Sequence, residues 1–248
     1  MKKILFALLM TSFLVTNFSY AQTADEVIES YLETIGGRDA IAAIKTMKSI
    51  GKVNFQGMEI PFTMYQKAPG AQKLVINFQG QEITQMSFDG NEGWGTNFMT
   101  MEPEKWESED SELMKSEMDF PEVFLTYKDK GYSAELEGEE NIEGTDCYRL
   151  KLTKKPMTID GKEEENFVYY FIDKETNVPV MVRNVIHKGD MKGKSQDTFM
   201  SDYQEVNGVY QPFTLQIKLD GQTIQSLSLD TVEVNVDMDD ALFAFPGK

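Results

Sequence analysis

The residue types that usually carry chemistry are thinly spread in this 248-residue chain, and each stands in poor company for catalysis. His187 is the single histidine, at the end of the apolar stretch from Val178 to Ile186. General acid–base work needs a positioned partner, and no nucleophile elbow of the Gly-x-Ser-x-Gly kind surrounds it, so it reads as a strand-end histidine. Cys147 is the single cysteine, which rules out an internal disulfide and a multi-cysteine metal site. Beside Tyr148 it reads as a small buried hydrophobe.

Carboxylates are plentiful without being arranged. Glu107, Glu109, Asp110 and Glu112 read as a solvated helix face. Asp237, Asp239 and Asp240 look like half of a calcium loop, but the glycine of the sharp turn and the distal glutamate are missing. Glu139, Glu140 and the acids at 163–165 read as charged hairpin tips, and Gly36-Gly37 follows a helical pattern rather than a strand, the wrong context for a phosphate cradle. The expectation is a protein that is not an enzyme, with no catalytic residue, no cofactor and no metal.

What must be positioned instead is apolar surface. From Met47 to Phe88 the chain alternates with a period of two, and successive side chains on a strand point to opposite faces. One face collects Met47, Val53 and Phe55, then Met58, Ile60, Phe62 and Met64, then Leu74, Ile76 and Phe78, then Met86 and Phe88. Later strands repeat the habit, notably Phe213, Leu215 and Ile217, whereas Phe167 to Ile172 is apolar on both faces and predicts a strand covered on both sides. In the last long strand the apolar phase changes between Leu229 and Val232, which predicts a bulge near Asp230. Dipeptides such as Gln56-Gly57, Gln79-Gly80, Asp160-Gly161, Asn207-Gly208 and Asp220-Gly221 mark hairpin turns, so the order reads as an antiparallel meander of about eleven strands.

Two helical segments flank or interrupt this pattern. Ala24 to Ile35 carries Val27, Ile28, Tyr31 and Leu32 on one stripe, with Gly36-Gly37 as its stop and Asp39 as the cap of a short second turn. Glu104 to Tyr127 is acidic and helix-favouring and holds Trp106, Leu113, Met114 and Phe124. Lying across the concave side of a sheet, these residues would form a lid. Methionine, 13 residues once Met1 and Met10 are set aside, suits a surface that repacks around different apolar guests.

Residues 1–21 read as a cleaved signal peptide: Lys2 and Lys3, an apolar run from Ile4 to Val15, and a small-x-small site at Ser19-Tyr20-Ala21. Residues 22–248 then read as one soluble, exported domain, not lipid-anchored, since the residue after the cleavage site is Gln22 and not a cysteine. Without the leader the balance is 22 basic against 41 acidic residues, a charge of −19, which argues against nucleic acid and anionic membrane surfaces as partners.

The run IGGRDAIAAIKTMKSIGKVNFQGMEIPFTMYQKAP (Ile35 to Pro69), FDGNEGW (Phe88 to Trp94), SDYQEVNGVYQPF (Ser201 to Phe213) and DDALFAFP (Asp239 to Pro246) together resemble the outer membrane lipoprotein-sorting proteins of the LolA/LolB-like superfamily, in particular a group found in Bacteroidetes-type bacteria. The last two segments are similar to that group's closing strands. The resemblance implies an unclosed antiparallel β-barrel with an N-terminal helix and an inserted helical lid over an apolar cavity. It further implies a monomeric periplasmic carrier for lipoprotein acyl chains or a similar lipid, with inner and outer membrane sorting partners. The sheet residues named above are the expected cavity lining. The alternative is an envelope interaction module on the same scaffold, its cavity filled by its own helices.

Overall fold

The computed structural model describes residues 22–247, so the expected leader at 1–21 lies outside them. Thr23 opens helix α1 (Ala24–Thr34) with a reciprocal cap: the Thr23 N–H donates to Glu26 Oε2 at 2.8 Å, and the Glu26 N–H donates to Thr23 Oγ1 at 3.2 Å. The helix ends where Gly36 turns at φ +126°, and a Cβ there would meet Gly208 O at 2.2 Å. Only glycine lets this corner dock on the turn at 207–208, where the Tyr210 N–H reaches Ile35 O at 2.9 Å. Helix α2 (Arg38–Ala42) begins two residues earlier than expected. Its cap position is Gly37, and Asp39 lies in its first turn.

The strands are β1 (Thr46–Phe55), β2 (Met58–Lys67), β3 (Ala71–Phe78), β4 (Gln81–Phe88), β5 (Gly93–Thr96), β6 (Pro103–Lys105), β7 (Ser133–Ile142), β8 (Thr145–Thr153), β9 (Met157–Ile159), β10 (Lys162–Glu164), β11 (Phe167–Asp173), β12 (Pro179–Val185), β13 (Ser195–Val206), β14 (Val209–Leu219) and β15 (Gln222–Val234). Thirteen form one antiparallel sheet in the order β6-β5-β4-β3-β2-β1-β15-β14-β13-β12-β11-β8-β7, while β9 and β10 form a separate hairpin. This is the expected unclosed meander, with more strands than the hydrophobic pattern showed. The additions are short: β6 is exposed along its length and pairs with β5 through Gly95 and Glu104.

The expected hairpin dipeptides adopt left-handed backbone, for example Gln56 at φ 51° and Gly57 at φ 83°, as the primed two-residue turns require. The expected bulge is present too: the β1–β15 register shifts so that Ile50 faces Thr231 and Gly51 faces Leu229, leaving Asp230 as the extra residue. The segment Asp239–Pro246 is not a strand. It turns through Asp240–Leu242 and clamps the convex side, where Ser87 Oγ and Trp94 Nε1 each donate to Phe243 O at 2.9 Å.

The chain linking the two edge strands, β6 and β7, carries helix α3 (Ser108–Glu117) and a short 3-10 turn (Val123–Leu125). Helix therefore occupies only part of the stretch from Glu104 to Tyr127. Side chains from α1, α2 and the 3-10 turn pack with Leu150, Leu152, Ile172 and Val209 into the main core. Phe124 lies at its centre, edge-on to Tyr31, Tyr127 and Tyr170 at 6.1, 5.8 and 4.8 Å between ring centroids.

Candidate functional site

Cross-strand pairing runs a single row over the concave face: Leu150 faces Tyr170, Tyr170 faces Val182, Val182 faces Thr198, Thr198 faces Ile217, and Ile217 faces Gln225. Its two halves have different fates. Around Leu150 and Tyr170 the chain's own helices fill the concavity, with Ile28, Leu32 and Phe124 wholly buried. Toward Gln225 and the β1–β2 and β3–β4 hairpin tips nothing from α1 or α2 packs on the sheet, and a cavity of about 410 Å³ opens.

That cavity is lined by Val53, Phe55, Met58, Ile60, Ile76, Phe78 and Phe98, with Gln85 and Gln225 as its polar members. Its floor is the cluster of Val53, Phe62, Ile76 and Ile83, flanked by Met64, Leu74, Leu227 and Leu229. The rim is exposed: Met58 is 50% and Phe98 60% accessible, and Met99 next to it 95%. Such a volume lies within the roughly 300–1,000 Å³ typical of small-molecule sites.

The structure gathers some of the expected lining residues and scatters others. Val53, Phe55, Met58, Ile60, Ile76 and Phe78 meet at the cavity, and Phe62, Met64 and Leu74 lie in or against its floor. Leu215 and Ile217 face Leu227 and Gln225 on the strand beside it, whereas Phe213, on the same strand, touches no part of this floor. Met86 faces Leu74, Phe88 is buried near the far end of β4, and Met47 sits against the helices in a separate groove with Tyr31, Ile35 and Tyr203. Ile83 and Phe98 escaped the alternation. An extra residue at Gln85 shifts the phase of β4 between Thr84 and Met86, and Phe98 lies in the β5–β6 turn.

The expected lid is corrected in part. Val27, Ile28, Tyr31, Leu32 and Phe124 are no movable cover but a packed plug, because their amphipathic stripe found Leu150, Leu152 and Ile172 as partners. Trp106 covers Gly93, and the apolar side chains of α3, Leu113 and Met114, are only half-buried. This helix is tied on by polar contacts: Ser111 Oγ accepts the Gly93 N–H at 3.1 Å, Glu109 Oε2 accepts the Asp160 N–H at 3.1 Å, and Lys188 Nζ lies 3.0 Å from Glu109 Oε1 and 2.5 Å from Asp110 Oδ1. These two carboxylates, expected on a solvated face, are half-buried partners of Lys188.

Chemistry-bearing side chains lie elsewhere. Tyr31 Oη donates to Glu122 Oε2 at 2.8 Å, and desolvation holds the Glu122 carboxyl above the usual carboxylate range although the Phe124 N–H and Tyr31 both donate to it. Desolvation pushes the Cys147 thiol to about 11, reinforced by the charges of Asp173 and Asp146. Cys147 is wholly buried, an inert hydrophobe rather than a nucleophile. Among the described residues no three His, Cys, Asp or Glu side chains converge as metal ligands.

The unclosed antiparallel sheet wrapped about helices is a fold that this chain shares with solved structures. Three of them are a DUF1329 family protein from Desulfovibrio piger (16% identity, TM-score 0.56, covering 90% of this chain and 98% of that one), a LolA superfamily protein from Nitrosomonas europaea (12%, 0.57, 90% and 98%), and a domain assigned as an outer membrane lipoprotein-sorting protein from Vibrio parahaemolyticus (11%, 0.56, 89% and 97%). A family model described as an uncharacterized protein matches residues 102–245, more than half of the chain, and the chain belongs to that family. No curated protein matches it.

Proposed function

We propose that this protein is a non-catalytic carrier that holds the acyl chain of a lipoprotein or a similar lipid, in the periplasm, after cleavage of a leader at 1–21. The observation that carries the reading is the open half of the concave face: a cavity of about 410 Å³ whose rim side chains, Phe55, Met58, Phe78 and Phe98, remain exposed in the folded chain. A rim of large apolar side chains costs solubility unless something covers it. Each methylene hidden from water contributes roughly 0.8 kcal/mol, so burying about ten gives roughly 8 kcal/mol, micromolar affinity before ordering costs.

The test is displacement of a fluorescent fatty-acyl probe from the protein and from Met58→Glu. Met58 is half-exposed, so the charge leaves the fold intact and enters the rim. Micromolar binding by the native chain and a loss of at least tenfold in the variant are expected. Absence of binding to the native chain sinks the carrier. The plugged half of the concave face favours a second reading, an interaction module that needs no guest, and protein isolated from a bacterial envelope that is repeatedly lipid-free in native mass spectrometry would decide for it.

A further inference from the structure

A second, smaller cavity of about 150 Å³ lies on the same face and is polar, lined by Glu117, Lys154, Asn166, Asn184 and His187 over Val168, Tyr170 and Val182. Two of its polar side chains end on buried atoms that no group among the described residues meets, Asn166 Nδ2 and Asn184 Oδ1. Asn166 as a whole is only 5% exposed. Leaving a donor and an acceptor dry forfeits their hydrogen bonds to water, an arrangement a fold retains where a partner arrives from outside. Both amides end on a soft χ2 torsion, so a small rotation turns either toward the cavity.

The charges beside them are already engaged. Lys154 Nζ lies 2.5 Å from Asp119 Oδ2 and reaches Ser116 O and Glu117 O at 3.3 and 3.4 Å, and His187 Nδ1 stands 3.4 Å from Glu164 Oε2. An anionic ligand therefore finds no free cation here. What the pair of asparagines complements is a neutral group with one acceptor and one donor on neighbouring atoms, as a secondary amide has.

The two cavities lie along one row of the same face. Val182 lines the polar one and Gln225 the apolar one, and the pairing Val182–Thr198–Ile217–Gln225 crosses from β12 to β15. Three strand spacings amount to about 14 Å, a span that a hexadecyl chain covers. We infer that the polar cavity is the seat of the cargo's head, with Asn166 donating to the carbonyl and Asn184 accepting the N–H of an amide-linked acyl chain whose tail runs along this row into the apolar cavity. The inference rests on the carrier reading and narrows its cargo to N-acyl amides, such as the amide-linked chain of an acylated peptide.

The experiment compares N-methylhexadecanamide with methyl hexadecanoate as competitors of the fluorescent acyl probe. The ester keeps the tail and the carbonyl and lacks the N–H. A site without polar partners favours the ester, because the amide is costlier to desolvate. Native protein is expected to bind the amide at least tenfold more tightly, and Asn184→Leu to bring that ratio to about one. Equal affinities in the native chain overturn the head site while leaving the carrier standing, and so does a folded Asn184→Leu that keeps the preference. Failure of both competitors to bind overturns carrier and head site together. Should Asn184→Leu fail to fold, the ratio in the native chain decides alone.

Discussion

Trp106 packs so closely on Gly93 that a methyl group at position 93 would stand 1.9 Å from Trp106 Cε3. The obstructing atoms belong to a rigid indole, so Gly93→Ala must expel the ring that seats the start of α3. The change also disturbs the Gly93 N–H that donates to Ser111 Oγ. Overpacking of this kind costs about 1–3 kcal/mol, and at about 2–4 °C per kcal/mol for a chain of this size the melting temperature should fall by roughly 2–12 °C. Trp106 emission should shift to the red while buried Trp94 keeps its own. Gly93→Ala on a Trp106→Ala background should then cost almost nothing, and a full penalty there would refute the steric account.

Lys154 and Asp119 form a buried pair, each side chain 6% exposed, and Asp119 also holds Lys130 at 2.6 Å. Removing the acid strands an ammonium that cannot reach water. Asp119→Ala should therefore destabilise by about 3–5 kcal/mol in urea unfolding, the range for breaking a buried pair. Glu92→Ala, which removes the exposed partner of Lys105, should cost under about 1 kcal/mol. Similar losses for the two would show that burial of the Asp119 pair carries no weight.

Lys188 ties α3 to the loop between β12 and β13 through two half-exposed carboxylates, Glu109 and Asp110. Exposed pairs contribute about 0.2–1 kcal/mol each and weaken with salt, so the tether is easily released. If α3 gates the concave face, Lys188→Ala should speed dissociation of a bound acyl probe several-fold in stopped flow, with less than about 2 kcal/mol lost in stability. Raising the salt to 1 M should speed the native protein toward the variant's rate. Identical dissociation rates at both salt levels would show that the helix does not gate.

How much of this was legible in the sequence depends on whether a feature is local. Hairpin turns were, because Gln56-Gly57 or Asn207-Gly208 needs left-handed backbone whatever surrounds it. The Asp230 bulge was, since a phase change shows in one strand. The bulge at Gln85 was not: a single extra residue in a short strand merely mimics the opposite phase, which hid Ile83. The stripe on α1 fits a lid and a plug equally well, and only the burial of Ile28 and Leu32 against Leu150 and Leu152 separates them. Asn166 and Asn184 are brought into one cavity by the pairing of Val168 with Asn184, a contact between residues that no local pattern links.

Glu122 gives the fold a pH dependence of definite sign. Desolvation raises its carboxyl above the ordinary value, against the hydrogen bonds from Phe124 and Tyr31 and with the nearby charge of Asp119 adding to the rise. The native state thus holds this proton more tightly than the unfolded chain does. The stability linked to it is present in full below the unfolded value, is lost as pH rises through the folded one, and remains lost at neutral pH. Asp25 and Glu29, whose carboxyls are lowered chiefly by hydrogen bonds from Lys128 and Arg38, act in the opposite sense, so the net curve of the native protein does not isolate Glu122. Glu122→Gln does: the amide keeps an oxygen for Tyr31 Oη and has no proton to lose. The variant's stability relative to the native chain should be higher at pH 8 than at pH 4 in paired urea titrations. Parallel profiles across that range would mean that Glu122 stays as well solvated in the folded protein as in the unfolded chain.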